Sequence, residues 1–157
     1  MRKITEIVVH CSATPAGRNV TAKDIDKWHR DKGWSSIGYH FVILLDGTIQ
    51  VGRPIVAPGA HVQNHNATTI GICLIGGLGP NGRGLNTFNA AQMESLHSLV
   101  HDLKVKFKTA NVCGHRDFSP DKNKDGKITP NEFMKDCPSF DVRLWWYGGH
   151  GTKGNAL

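Results

Sequence analysis

Runs of apolar, β-branched residues along the chain predict the strands of a sheet. Residues 4–10 (ITEIVVH) and 70–75 (IGICLI) are short and apolar, which is typical of buried strands. Residues 41–45 form a similar run, and the Asp46-Gly47 pair after it predicts a hairpin turn into a returning strand at residues 48–53. Strands therefore dominate the first half of the chain.

Two segments show the three- and four-residue spacing of amphipathic helices. The first begins at a capping-box pattern, Thr21 with Asp24, and is expected to end at Gly33. The second covers residues 89–107 and carries one apolar stripe, formed by Met93, Leu96, Val100, Leu103 and Phe107. With a short strand at 111–113 and a last helix at 139–147, the order of elements predicts a mixed β-sheet flanked by helices, an α/β or α+β fold.

Length, charge and cysteine usage limit the class of protein. A chain of 157 residues holds one domain, assigned to residues 1–147, followed by a flexible tail at 148–157. The net charge of +6 comes from scattered basic residues, so we expect no nucleic-acid partner. We find no signal peptide and no apolar run near the ~20 residues of a membrane span, so we expect a chain that is cytoplasmic on synthesis and does not insert into a membrane. We also expect a monomer. The four cysteines have unrelated spacings, which argues against a disulfide framework.

Metal-binding side chains lie next to two of the predicted strands. His10 ends the first strand, His115 follows the last one, and Cys137 precedes a proline further along the chain. If these strands are neighbours, two imidazoles and one thiolate form a ligand set that suits zinc and leaves a position open, as catalytic zinc sites do. Cys113, two residues before His115, is a competing ligand, and spacing alone does not decide between the two thiols.

A 12-residue segment between His115 and Cys137 follows the pattern of an EF-hand calcium loop. Oxygen ligands are expected at its positions 1, 3, 5, 7 and 12, with glycine at position 6. Here those ligand positions are Asp121, Asn123, Asp125, Lys127 (through its carbonyl) and Glu132. Pro120 argues against an entering helix, so this is an isolated loop rather than a paired hand. The alternative is an Asx- and glycine-rich turn without an ion.

An ordered set of short strings resembles a known enzyme family. VVHCSAT, KWHRDKGW, IGYHFVI, DGT, IGICLIGG and KDCPSFD occur in this order over about residues 5–147. They resemble the zinc-dependent N-acetylmuramoyl-L-alanine amidases of type 2, in the peptidoglycan-recognition-protein superfamily, and above all the small phage lysozymes. The resemblance implies that His10, His115 and Cys137 bind zinc. It also implies a catalytic role for Tyr39 and stabilisation of the oxyanion by Lys135.

The resemblance further implies hydrolysis of the amide between N-acetylmuramic acid and the L-alanine of the peptidoglycan stem peptide, by a phage endolysin that reaches the cell wall after release. Trp34 and His61 are candidate walls of the substrate groove. Residues that precede the first strand in the phage lysozymes are missing, which puts inhibition of a phage RNA polymerase in doubt. The same fold also binds peptidoglycan without cutting it, so a non-catalytic recognition module is the alternative.

Overall fold

A central sheet and two α-helices form the framework of the computed structural model, which describes residues 1–148. The strands are β1 (Glu6–Cys11), β2 (Thr14–Pro15), β3 (Phe41–Ile43), β4 (Ile49–Val51), β5 (Thr69–Leu74), β6 (Gly77–Leu78) and β7 (Asn111–Gly114). The helices are α1 (Ala22–Asp31) and α2 (Ala90–Lys106). Three 3₁₀ turns (Asn66–Thr68, His115–Phe118 and Pro130–Glu132) and a π-helical turn (Leu144–Gly148) complete the regular elements.

The main sheet has the strand order β4-β3-β5-β1-β7. β1 pairs in parallel with both β5 and β7, β3 pairs in parallel with β5, and only β4 runs antiparallel. Since β1 and β5 are paired on both sides and covered on both faces, they need the continuous apolar runs seen in the sequence. The predicted mixed sheet flanked by helices is confirmed.

The two helices cover opposite faces of this sheet. Leu96, Val100 and Leu103 of α2 pack with Ile7 and Ile72 in the larger core, so the stripe predicted from helical spacing is the buried face. On the other face, Ile25 of α1 packs with Val42 and Cys73. The second face also contains the side chain of His10, because His10 is in register with Cys73.

Local signals in the sequence set several element ends. The Thr21 side chain caps α1 through the backbone N–H of Asp24, and Asp24 accepts from the N–H of Thr21 in return. Gly33 has φ +91°, a left-handed conformation that glycine adopts without strain, and it ends the helix as predicted. Gly47 has φ +87° in the β3–β4 hairpin.

The last predicted helix is wrong in its start and type. The structure has a π-helical turn at Leu144–Gly148 instead of a helix from residue 139. Ser139 has φ +78°, which a right-handed helix does not allow, and the Asp141 side chain accepts from the N–H of Leu144 at the start of the turn. The predicted tail at 148–157 lies outside the described residues apart from Gly148.

A long connection, residues 119–139, brings the chain back over the C-terminal end of β1; it is called the Cys137 arm below. Residues 121–129 have no regular structure beyond bends, and no α-helix leads into them, as the proline predicted; the element before them is the short 3₁₀ turn His115–Phe118. The Ser139 hydroxyl donates to the carbonyl of Gly77 in β6, which fixes the end of the arm against the small β2–β6 sheet. Among the described residues, none of the helices is both long and apolar enough to cross a membrane.

Candidate metal centre and active site

The pairing of β1 with β7 brings His10 and His115 together. Val9 is in register with Gly114, so the next residues, His10 and His115, lie level at the end of the two strands. Their ring centroids are 4.7 Å apart, and His10 is only 1% exposed. Ligand sites in open sheets usually lie at the C-terminal ends of parallel strands. From the sequence alone the two strands could only be assumed to be neighbours, and the sheet order shows that β1 and β7 are paired.

The Cys137 arm delivers the third donor. The N–H of Arg116 donates to the carbonyl of Cys137 at 2.8 Å, and the Arg116 guanidinium pairs with Asp136 at 3.0 Å. The N–H of Cys11 donates to the Cys137 sulfur at 3.1 Å. The ligand atoms of His10, His115 and Cys137 all lie within 4.8 Å of one another. Within residues 1–148 this is the one group of three or more His, Cys, Asp or Glu side chains close enough to hold a metal ion.

Cys113, the competing thiol, lies away from this group. It is 1% exposed and packs with Val8 and Val62 beneath the site. Burial raises the pKa of the Cys113 thiol to about 12, so this cysteine behaves as a core residue. The structure therefore brings Cys137, and not Cys113, to the two histidines.

Burial sets the protonation of the three donors. The pKa of His10 is well below its usual value, mainly because of burial and also because His61 and His115 are close. Burial and the nearby Lys135 lower the pKa of His115 to about 4. Both imidazoles are thus neutral at pH 7 and offer lone pairs. The Cys11 thiol and burial raise the pKa of Cys137, so a cation is needed to stabilise its thiolate. Two neutral imidazoles and one thiol that ionises on metal binding form a donor set that fits zinc.

The predicted catalytic pair flanks the three donors. The half-buried ring of Tyr39 lies 5.1 Å from the His10 ring, centroid to centroid. Burial raises the pKa of Tyr39, so its hydroxyl keeps its proton at neutral pH. Lys135 is exposed and lines the mouth of the site two residues before Cys137.

Two adjoining cavities meet over the metal donors. One, of about 310 Å³, extends from His10 and Cys137 towards α1. The other, of about 680 Å³, extends towards Asn64 and Phe118. Trp34, His61, His115 and Lys135 line both, so the two cavities form a continuous groove across the site. Trp34 is 39% exposed at the groove wall, whereas His61 is only 9% exposed and its Nδ1 lies 2.8 Å from Nε2 of His10.

The carboxylates of the EF-hand-like loop bind backbone N–H groups of the loop itself. Asp121 accepts from the N–H groups of Asp125 and Gly126, and Asp125 accepts from that of Lys127. Glu132, 5% exposed, accepts from three N–H groups, including that of Asn123. These contacts involve protein groups alone and do not test calcium binding, which stays a prediction at the five ligand positions.

Sequence reasoning did not single out three groups that hold the site together: the Cys11 N–H, the Thr69 hydroxyl and the Arg116 guanidinium. A backbone N–H has no sequence signature. Thr69 reads as an ordinary strand residue, and only its contact with the His61 ring sets it apart. The position of Arg116 directly after His115 was the one available cue.

Comparison with known proteins identifies the family of this chain. Residues 1–138 match the family described as N-acetylmuramoyl-L-alanine amidase. The endolysin of Klebsiella phage KP32 is 40% identical over 145 residues, 92% of this chain and 87% of the relative. The endolysin of Escherichia phage T7 is 40% identical over 140 residues, 89% and 83% of the two chains.

A solved structure of N-acetylmuramoyl-L-alanine amidase LysC from Clostridium intestinale superposes with a TM-score of 0.69 at 30% identity, covering 91% of this chain and 81% of that one. The family match, the phage relatives and this superposition each span most of the chain, and the family match includes His10, His115 and Cys137. The chain belongs to the N-acetylmuramoyl-L-alanine amidase family.

Proposed function

We propose that this amidase cuts peptidoglycan at a zinc centre held by His10, His115 and Cys137. The observation that carries the proposal is the convergence of these three donors on the floor of an open groove. Three protein ligands leave a coordination position free, which is the arrangement of catalytic rather than structural zinc. The bond cleaved is the amide between N-acetylmuramic acid and L-alanine.

Zinc bound there supplies Lewis acidity towards the scissile carbonyl and lowers the pKa of water, to about 7 in the best-studied sites. The chain's own residues carry out the remaining tasks. Lys135, at the groove mouth, places an ammonium group where negative charge develops on the carbonyl oxygen. A single such donor is worth about 10²–10³ in rate.

Tyr39 acts by orienting the attacking water. Its hydroxyl is protonated because burial raises its pKa, so it donates a hydrogen bond rather than serving as the base. Its ring lies against His10, and its centroid is 5.6 Å from that of His29 in α1.

The groove accommodates an extended polymer, since its two cavities open on either side of the donors. Trp34 supplies an exposed aromatic wall suited to stacking against a sugar ring, and His61 lines the same groove. We assign the groove to the glycan strand and stem peptide. The phage relatives carry the name endolysin, and we propose the same role here: lysis of a host from within, on the cell wall.

A Cys137→Ser variant tests the zinc mechanism, with Cys113→Ala as the matched control. We expect Cys137→Ser to lose bound zinc and to clear permeabilised cells about 10²-fold more slowly or worse. The control keeps both properties, because Cys113 packs with Val8 and Val62 and is not one of the three converging donors. Mass spectrometry of the digest should show newly freed L-alanine amino termini. Undiminished clearing by Cys137→Ser would defeat the mechanism, and wild-type binding to peptidoglycan without freed termini would indicate a recognition module.

A further inference from the structure

A row of hydrogen bonds runs from the ring of His10 through His61 to Thr69. His10 Nε2 is 2.8 Å from Nδ1 of His61, and His61 Nε2 is 3.1 Å from the hydroxyl oxygen of Thr69. The Thr69 hydroxyl is 2.9 Å from the carbonyl oxygen of His65. His10, His61 and Thr69 are 1%, 9% and 0% exposed, so these contacts are largely shielded from solvent.

The direction of each bond follows from the far end of the row. A carbonyl oxygen only accepts, so the single proton of the Thr69 hydroxyl points at His65. The Thr69 oxygen must then accept from His61, which requires the proton of His61 on Nε2. A neutral imidazole has one N–H, so Nδ1 of His61 is an acceptor, and Nε2 of His10 must donate to it.

The surrounding backbone is built to hold His61 in this place. The His61 and Val62 N–H groups both donate to the side-chain oxygen of Asn66, at 2.8 and 3.0 Å, which fixes the loop that carries the ring. Gly71 of β5 faces the ring, and a Cβ at that position would lie only 2.7 Å from Cγ of His61. The ring thus fills a space that a larger residue in β5 would take.

We propose that His61 and Thr69 are positioning residues that hold His10 as its Nε2–H tautomer and so present the Nδ1 lone pair to zinc. The inference rests on the proposed zinc centre and deepens it. A metal-bound histidine whose second nitrogen is anchored in this way keeps both its tautomer and its ring orientation, and losing the anchor costs about 10–100-fold in metal affinity.

Zinc affinity of conservative pairs of variants tests the positioning role. Zinc is withdrawn from the loaded protein by a chromophoric chelator, and the dissociation constant is read from the competition. We expect His61→Phe, which keeps a ring without an acceptor, to weaken zinc binding about 10–100-fold. His61→Asn restores an acceptor near the Nδ1 position and should recover part of that loss. Thr69→Val should weaken binding by about tenfold or less, and Thr69→Ser, which keeps the hydroxyl, should retain it.

A spectroscopic measurement on the zinc-loaded wild type needs no variant. Two-bond ¹⁵N–¹H correlations of the imidazole rings distinguish the tautomers, and both His10 and His61 should carry their proton on Nε2. An Nδ1–H tautomer at His10 would overturn the inference, as would equal zinc affinity in the wild type, His61→Phe and Thr69→Val. If the wild type itself binds no zinc, the proposed zinc centre fails instead, so the two failures are distinguishable.

Discussion

One added methyl group, in Gly71→Ala, should displace the His61 ring from its contact with His10. The new Cβ would lie 2.7 Å from Cγ, 2.8 Å from Nδ1 and 2.9 Å from Cδ2 of the His61 ring, all shorter than carbon contacts allow. β5 cannot yield, because it is paired with β1 on one side and β3 on the other. The ring must therefore move, and its contacts with His10 and Thr69 are lost.

The expected cost combines three effects. Overpacking a buried site costs about 1–3 kcal/mol, and a buried N–H of His10 left without its acceptor costs about 1–3 kcal/mol more. Replacing glycine by alanine in a strand returns about 0.5–1 kcal/mol through lower backbone entropy in the unfolded chain. We expect a net destabilisation of about 2–4 kcal/mol, with weaker zinc binding.

A double-mutant cycle in urea measures the effect and isolates its cause. In a His61→Ala background the clash partner is gone, so Gly71→Ala should be neutral or slightly stabilising there. The two substitutions should thus be coupled by about 2 kcal/mol or more. Equal destabilisation in both backgrounds, or a neutral Gly71→Ala in the wild type, would refute the steric argument.

Three further predictions concern protons, the Cys137 arm and the EF-hand-like loop. The pKa values of His61 and His115 in the folded protein are about 3 and about 4, below the 6.5 of an unfolded histidine. Between each folded-state pKa and pH 6.5, the unfolded chain therefore binds more protons than the folded protein. The free energy of unfolding of the zinc-free protein should be highest above about pH 6.5. Below that pH it should fall by up to about 1.4 kcal/mol per pH unit for each histidine. Urea midpoints that stay constant from pH 7 to pH 5 would contradict this. Arg116→Met removes the ion pair with Asp136, which should lower the free energy of unfolding by about 1 kcal/mol and weaken zinc binding. Arg116→Lys should recover part of the stability and part of the zinc affinity. Unchanged zinc affinity in Arg116→Met would exclude a role for Arg116 in holding the arm. Calcium added to the zinc-loaded enzyme should bind residues 121–132 and raise the melting temperature. If calorimetry shows no heat of binding and the melting temperature does not change, that prediction is wrong.

Short-range patterns in the sequence determined most of the framework. Helical spacing identified the buried stripe of α2, and the Thr21 capping box located the start of α1, because these features depend on residues a few positions apart. The last helix was misplaced because the left-handed backbone at Ser139 is imposed by the path of the Cys137 arm and by its bond to Gly77.

For the site, the sequence by itself supplied the donor types and, through ordered motifs, the family. Only the tertiary structure decided which sulfur reaches the histidines. The return of the arm onto Arg116 and Cys11 places Cys137 there, while the pleat of β7 buries Cys113 beneath. It also showed that His61, which lines the groove, contacts His10, because that contact depends on strand order and on the absence of a side chain at Gly71. Contacts between residues distant in the chain leave no periodic trace, so they appear only when the sheet is assembled.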